Sequence, residues 1–235
     1  MKLTAYLIIT IAICYGAFGQ FQLLDALPDM PGVTPAFTTG SWVQYRIDDE
    51  EGKSQKVKFS ILSEEEIEGE TFYWFEMKVT DENGDWSIFK IKSPDIRNKE
   101  EAVSLIIQKN GESPREMDFV LPANRPTSPG TVEEADSDVE ETPEMDFKTE
   151  TNVFVGVKAG KFESTRFSFV DDDEVKTDVW ISEEVPILGL VKATSNDGQV
   201  ELIKYDTKGA KSEITGKVEA IEMPNLKELM KRGTR

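Results

Sequence analysis

The chain has 235 residues, of which 45 are acidic and 27 are basic, so its formal net charge is −18 at pH 7. It contains no histidine and a single cysteine. Without histidine, Ser–His and Cys–His nucleophilic catalysis and histidine-ligated zinc are excluded. The acidic surface also disfavours nucleic acid and polybasic docking on anionic membranes, and it favours solubility.

The first 19 residues have the layout of a secretory signal peptide. An apolar run spans Leu3 to Cys14, and Ala17 and Gly19 place small residues before a cut at Gln20. This run is shorter than the roughly 18 residues of a membrane-spanning helix. We therefore expect cleavage, a periplasmic or secreted location and no integral membrane segment afterwards. Cleavage removes the only cysteine, so the mature chain is expected to depend on core packing and not on disulfides.

Residues 20–40 contain Pro28, Pro31 and Pro35 and predict an extended lead-in. Beyond them, short runs with a two-residue apolar period alternate with turn residues, which is the pattern of β-strands. The pair Asn83-Gly84 favours a tight hairpin turn. Strands are predicted at 42–48, 56–62, 71–79, 86–92, 102–109, 115–122, 151–158, 161–170, 175–182, 188–194 and 199–206.

Two segments depart from this pattern. Residues 124–150 form an acidic, proline-bearing insertion that is expected to be exposed, mobile and dispensable for folding, because it offers too few apolar groups to offset its ordering entropy. Calcium capture or a partner site is its functional alternative. The tail at 217–235 contains "PNLKELMKR", in which Leu226, Leu229 and Met230 have helical spacing and predict one short amphipathic helix.

These elements predict a mainly β protein with a single domain at 41–216. With so many strands and one short helix, a single sheet has more apolar surface than the helix can cover, and one solution is a sheet that curves around an apolar cavity. A β-sandwich and a closed barrel are the alternatives.

The most sharply patterned stretch is "DVWISEEVPILGLVK" at 178–192. Ser182 is followed by two glutamates, but a neighbouring glutamate lacks the geometry of a general base. Pro186 ends the strand ladder and Gly189 permits a bend, so the stretch predicts a structural corner.

Other candidate motifs are also weak. Ser87 and Lys90 have the spacing of a serine–lysine pair, yet on a strand they point to opposite faces. The stretches at 81–86 and 171–174 offer carboxylates for calcium, but the ligand pattern at 81–86 is incomplete and acids are ordinary on a hairpin turn. No catalytic residue, metal site or cofactor is predicted.

Aromatic residues are the strongest hint of a ligand. They are frequent on the predicted strands, and "TFYWFEM" is apolar on both faces at one end. If the sheet curves around an apolar hollow, they would line it; otherwise they pack as an ordinary core. The predicted ligand-binding residues are Trp42, Phe72, Trp74, Trp86, Phe89 and Trp180.

A resemblance is carried by "GSWVQYRI", "GVKAGKFESTRF", "TDVWISEEVPILGLVK" and "ELIKYDTKGAKSEITG". Together they resemble uncharacterised secreted bacterial envelope proteins that share the half-barrel fold of the lipoprotein carriers LolA and LolB. The resemblance implies a strongly curved antiparallel half-barrel sheet of about ten or eleven strands, with few short helices and with loops over an apolar hollow, which the carriers use for acyl chains. It implies no catalytic residues, because the carriers are not enzymes. The long acidic insertion and the scarcity of lid helices are departures from the carriers.

The expected function is therefore non-enzymatic binding of a lipid or acyl chain in an apolar concavity. The alternative is an envelope interaction or scaffold protein with a filled core and an acidic recognition loop. A carboxylate hydrolase is a third class, but no pair of acids stands out.

Overall fold

The computed structural model describes residues 37–95, 102–118, 148–170 and 175–220. Within these ranges all regular secondary structure is β-strand, and the strands form one open, curved sheet. This architecture confirms the half-barrel prediction and rules out the sandwich and the closed barrel. No helix in the described ranges has the length and apolarity to cross a membrane. The strands are β1 Trp42–Asp49, β2 Ser54–Ile67, β3 Glu70–Thr80, β4 Trp86–Ser93, β5 Ser104–Lys109, β6 Arg115–Asp118, β7 Lys148–Val157, β8 Gly160–Val170, β9 Lys176–Ile181, β10 Leu190–Ser195, β11 Gly198–Asp206 and β12 Glu219–Ala220.

The sheet consists of two antiparallel meanders. Within the first meander, β1 to β6, strands adjacent in sequence pair with each other, and the same holds within the second, β7 to β11. The meanders join where β1 pairs with β11. The short strand β12 adds to the far edge in parallel with β6, with Glu219 opposite Arg115. The eleven predicted strands are thus present, and β12 is the strand that the sequence pattern did not predict.

The turn between β3 and β4 shows how local chemistry fixes register. The Asp81 carboxylate accepts hydrogen bonds from the backbone N–H groups of Asn83 and Asp85, both at 2.9 Å. Gly84 has a φ of 88°, which glycine adopts without steric cost. The predicted Asn83-Gly84 hairpin turn is confirmed. The carboxylate that suggested a calcium loop is engaged by the turn itself.

One face of the sheet, called the inner face, carries the main hydrophobic core. The tip of the β7–β8 hairpin curls over it: the N–H of Ala159 donates to the carbonyl oxygen of Leu202 at 3.2 Å. The ring of Phe162 lies 5.7 Å from that of Tyr205. The β7 end of the sheet therefore folds back over its own inner face, while the sheet itself remains open. The buried cluster inside is Val43, Tyr45, Ile47, Val57, Phe59, Ile61, Phe75, Val155, Phe162, Phe167, Phe169, Val179, Val185, Ile187, Leu190, Val191, Ala193, Val200 and Leu202.

Tyr45 ties the two meanders together inside this core. Its hydroxyl group donates to the carbonyl oxygen of Leu190 at 3.0 Å, which links β1 to β10 past the intervening β11. Burial raises the pKa of Tyr45 well above its ordinary value, so the hydroxyl stays protonated as the donor.

Several predicted elements lie outside the described residues. They are the signal peptide at 1–19, most of the lead-in, residues 124–147 of the acidic insertion and the helix within 217–235. Strand β7 begins at Lys148, before the predicted end of the insertion at 150. Its Glu150 lies opposite Arg166, and the two side chains form an ion pair at 3.4 Å.

Candidate functional site

The inner face of β3 to β6 forms the candidate site. Strand register aligns its side chains in two apolar rows that continue from β2 across the sheet. Phe89 and Leu105 are buried, whereas the others on β4 to β6 are partly exposed. The first row is Phe59, Met77, Phe89 and Ile107, and the second is Ile61, Phe75, Ile91, Leu105 and Met117.

The inner face therefore has two halves with different packing. Toward β7 the curled hairpin fills the space, and the side chains belong to the buried cluster. Toward β6 the cluster ends at Phe75, and Phe89 and Leu105 lie outside it. Met77 and Tyr73 pack against its margin. The sheet thus offers an apolar surface beside a closed core, and this surface is called the apolar half-face below.

The predicted ligand-binding residues do not share one surface. Phe89 lies on the inner face, opposite Met77 and Ile107. The other five lie on the outer face by register, and Trp180 also touches the margin of the core. Side chains alternate along a strand, and Trp42, Trp74 and Trp180 each follow or precede a core residue. Phe72 is buried on the outer face, at 2% exposed. The register thus divides the six residues between the two faces, and whether any of them contacts a ligand stays a prediction. The five outer-face residues are Trp42, Phe72, Trp74, Trp86 and Trp180.

Each tryptophan of the outer face lies beneath a cation. The ammonium group of Lys90 is 4.7 Å from the Trp74 ring centre, and the guanidinium group of Arg166 is 5.3 Å from that of Trp180. Long cationic side chains cover apolar rings with their methylene stems and interact with the ring face. These contacts explain how partly exposed tryptophan rings are accommodated on the outer face without a ligand. The remaining pairs are Trp42 with Lys58, Trp86 with Lys78, Trp74 with Lys92 and Trp180 with Lys192.

The outer face is also crossed by residues 207–218, called the crossing segment. The buried Glu76 carboxylate accepts hydrogen bonds from the Ser212 hydroxyl at 2.6 Å and from the Glu213 N–H at 2.8 Å. Glu213 in turn bridges Lys58 and Lys78, at 2.6 and 2.7 Å. The crossing segment therefore occupies the outer face of β2 and β3 and leads the chain to β12.

Three carboxyl groups have pKa values that the folded structure lowers, so their ionisation contributes to stability. Burial alone would raise the pKa of Glu213, but hydrogen bonds and charge from Lys58 and Lys78 outweigh burial and hold the pKa below its ordinary value. The pKa of Asp178 is lowered in the same way, where hydrogen bonds from Arg166 and Ser168 outweigh burial. The pKa of Asp48 is also lowered despite burial, mainly through its hydrogen bond from Gln199.

Stability is accordingly expected to fall in acid. A carboxyl group whose pKa is lower in the folded state stabilises that state above its unfolded pKa, and the contribution is lost as pH falls through the folded value. The free energy of unfolding should be nearly flat above about pH 5 and should decline below about pH 4.

Glu213→Gln tests this expectation. It should cost at most about 1 kcal/mol near neutral pH, because the ion pairs are partly exposed. It should also make the acid decline shallower, as measured by urea unfolding at several pH values. Glu163→Gln, at an exposed position on β8, is the control. A Glu213→Gln decline as steep as that of the wild-type chain would contradict the assignment.

The stretch after β9 is a structural corner, as predicted. The Ser182 N–H donates to the Gly189 carbonyl oxygen at 2.8 Å, and the N–H of Val185 donates to the Ser182 carbonyl oxygen at 3.2 Å. Ile187 adopts a φ of 72°, which packing maintains because its side chain is buried. Ser182 is itself buried, and its hydroxyl oxygen accepts a hydrogen bond from the Glu184 N–H at 3.4 Å. The hydroxyl group therefore belongs to the turn.

The serine–lysine pair is separated by the sheet. Ser87 lies opposite Val79 on the inner face, whereas Lys90 lies opposite Glu76 on the outer face. The alternation predicted from sequence is confirmed. Among the described residues, acidic side chains form no group of three that could hold a metal ion, and residues 171–174 lie outside them.

Comparison with known proteins defines no family. The sequence matches no protein-family model and no curated protein at a significant level. Among solved structures, a Bacteroides fragilis protein designated exported and YmcC-like in fold is similar, at 13% identity and a TM-score of 0.35, over 74% of this chain and 99% of the other. A Parabacteroides distasonis protein designated a lipoprotein is similar at 12% identity and a TM-score of 0.36, over 74% and 98% of the two chains. Neither designation names LolA or LolB, so that resemblance stays a prediction.

Proposed function

We propose that this chain is a non-enzymatic binding protein of the cell envelope or the extracellular space that holds an acyl chain against its apolar half-face. The observation that carries the proposal is the pair of apolar rows on β3 to β6, which continue beyond the closed core with partly exposed side chains. A secretory location is supported by the signal-peptide pattern of residues 1–19.

The dimensions of the rows suit an acyl chain. The second row crosses five strands, from Ile61 on β2 to Met117 on β6. Strands are about 4.8 Å apart, so the row is roughly 19 Å long. One leaflet of a bilayer has a hydrocarbon thickness of about 15 Å, half of the full core. An extended acyl chain therefore matches the row in length, and removing both surfaces from water stabilises the complex.

The rival function is an envelope interaction protein with a filled core. The closed half of the inner face, where the β7–β8 hairpin covers the cluster, is the observation in its favour. The two functions differ in what the apolar half-face contacts: an acyl chain in the first and protein in the second.

The test begins with the full chain purified from its native compartment, with mass spectrometry of co-purifying lipids. Ile107→Gln places a polar group on the apolar half-face, at a partly exposed position that should tolerate it. Binding of a fluorescent fatty-acid probe should weaken roughly tenfold, because an apolar contact of this size contributes about 1.4 kcal/mol.

Trp86→Gln is the matched control, since Trp86 is partly exposed on the other face of the same sheet. It should leave probe binding unchanged, and circular dichroism should show both variants folded. If Trp86→Gln weakens binding and Ile107→Gln does not, the site is on the outer face. If no lipid co-purifies and the wild-type chain does not bind the probe, the filled-core function is favoured.

A further inference from the structure

The apolar half-face has a charged end. Side chains at the odd-numbered positions of β3 to β6 point to the inner face, and nearly all of them are apolar or hydroxyl-bearing. Among the described residues of these strands, the only charged side chains on this face are Lys109 and Arg115. Both are cations, in a protein in which acids outnumber bases by 45 to 27.

The two cations are neighbours at one corner of the rows. Arg115 lies directly opposite Ile107, the last residue of the first row, and Lys109 lies two positions beyond Ile107 on β5. Diagonal neighbours of this kind have a separation of about 7 Å, within reach of two long side chains. Both are exposed, and no ion pair joins either to another residue of the described ranges.

Four acids lie near this corner. Glu219 on β12 lies opposite Arg115 and therefore shares its face; it is exposed and forms no ion pair with Arg115 within the described ranges, so two cations stand beside one acid at this edge. The other three acids have other hydrogen bonds or point to the other face. Asp85 accepts a hydrogen bond from the Asn110 side chain at 3.0 Å. Glu116 points to the outer face and accepts one from Ser104 at 3.1 Å. Glu112 lies in the turn between β5 and β6, where its N–H bonds to the Lys109 carbonyl oxygen at 3.0 Å. None of the three forms an ion pair with Lys109 or Arg115 in the described ranges.

We propose that the ligand is an amphiphile with an anionic head, whose acyl chain lies along the apolar rows and whose head is bound by Lys109 and Arg115. This inference rests on the proposed function and adds the class and the orientation of its ligand. Long-range repulsion by the acidic protein does not prevent such contact, because charges more than about 8 Å apart are largely screened at physiological salt. A carboxylate and a phosphate diester both suit the pair, since lysine and arginine donate to either.

Three amphiphiles with the same palmitoyl chain distinguish a carboxylate head, a phosphate head and no preference for an anionic head. They are palmitate, palmitoyl-lysophosphatidylglycerol and palmitoyl-lysophosphatidylcholine. The first two are anionic and the third has no net charge. Titration calorimetry on the wild-type chain should show an anionic amphiphile bound about two- to twentyfold more tightly than the lysophosphatidylcholine, since exposed ion pairs are individually weak. The preference should shrink as salt rises from about 50 to about 500 mM.

The variant Lys109→Gln/Arg115→Gln should lose this preference and retain its affinity for lysophosphatidylcholine. The control Lys56→Gln/Lys90→Gln removes the same charge from the outer face and should keep the preference. Tighter binding of palmitate identifies a carboxylate head, and tighter binding of lysophosphatidylglycerol identifies a phosphate head. Equal affinity for all three, or a preference that survives in the Lys109/Arg115 variant, overturns the inference and leaves the proposed function standing. Binding of none of the three overturns both.

Discussion

Replacing Gly198 with alanine is expected to lower the free energy of unfolding by about 3 kcal/mol or more. A Cβ atom at this position would lie 2.2 Å from the carbonyl oxygen of Asp48 and 3.0 Å from the Cα atom of Asp49. The obstacle is backbone, which cannot rotate away as a side chain can. The φ of Gly198 is 146°, a conformation that other residues rarely adopt. The damage falls on the β1–β11 pairing, which is where the two meanders join.

Gly69→Ala is the matched control for that prediction. Gly69 also has a positive φ, 86°, but nothing lies within 4 Å of a Cβ atom built there. This variant should lower the free energy of unfolding by about 1–2 kcal/mol, which is the cost of holding alanine in a left-handed conformation. Urea unfolding of the two variants and the wild-type chain gives the comparison. If the two variants lose the same free energy of unfolding, the close approach of β1 to Gly198 adds nothing to the cost of the substitution.

The strands themselves were predictable because each carries its own signal. The alternation in "WVQYRID" and "KVKFSIL" places Val43, Tyr45 and Ile47, and then Val57 and Phe59, on one face, and all five are buried in the core. The turn residues Asn83 and Gly84 indicated that β3 and β4 pair as a hairpin. Such signals are local, and pairing between sequence neighbours follows from them.

The joining of the meanders was not predictable by the same means. The partners in the β1–β11 pair, such as Val43 and Tyr205, are far apart in sequence, and no turn links them. The crossing segment was missed for a related reason. It has no period, and its attachment depends on Glu76, which in the sequence is one more acid in an acidic chain.

The least predictable feature of the site was which face of the sheet each aromatic side chain occupies. At the start of β3 both faces are apolar, so alternation alone does not distinguish Trp74 from Phe75. Pairing decides: Phe75 lies between Ile61 and Ile91, whereas Trp74 lies opposite Lys92, which stacks on its ring. The lysines that lie beside each tryptophan could be identified only after the pairing of the strands was known.

The packing of the inner face leads to the second large effect. Phe75→Ala should lower the free energy of unfolding by about 3–5 kcal/mol. The Phe75 side chain is 2% exposed, and its ring contacts that of Phe37 edge-on at 5.2 Å and that of Tyr73 at 5.9 Å. Truncation removes this buried surface and leaves a cavity that the surrounding strands fill only in part.

Phe154→Ala provides the control, because Phe154 on β7 is 62% exposed and its loss should change stability by no more than about 0.5 kcal/mol. Thermal or urea unfolding of the two variants measures the difference. Phe75 lies where the closed core meets the apolar half-face, so the result also locates the boundary between them. If Phe75→Ala costs as little as Phe154→Ala, the side chain does not pack against a solid core. The hollow would then extend from β6 across β3 toward β1, and the site for an acyl chain would include the margin now assigned to the core.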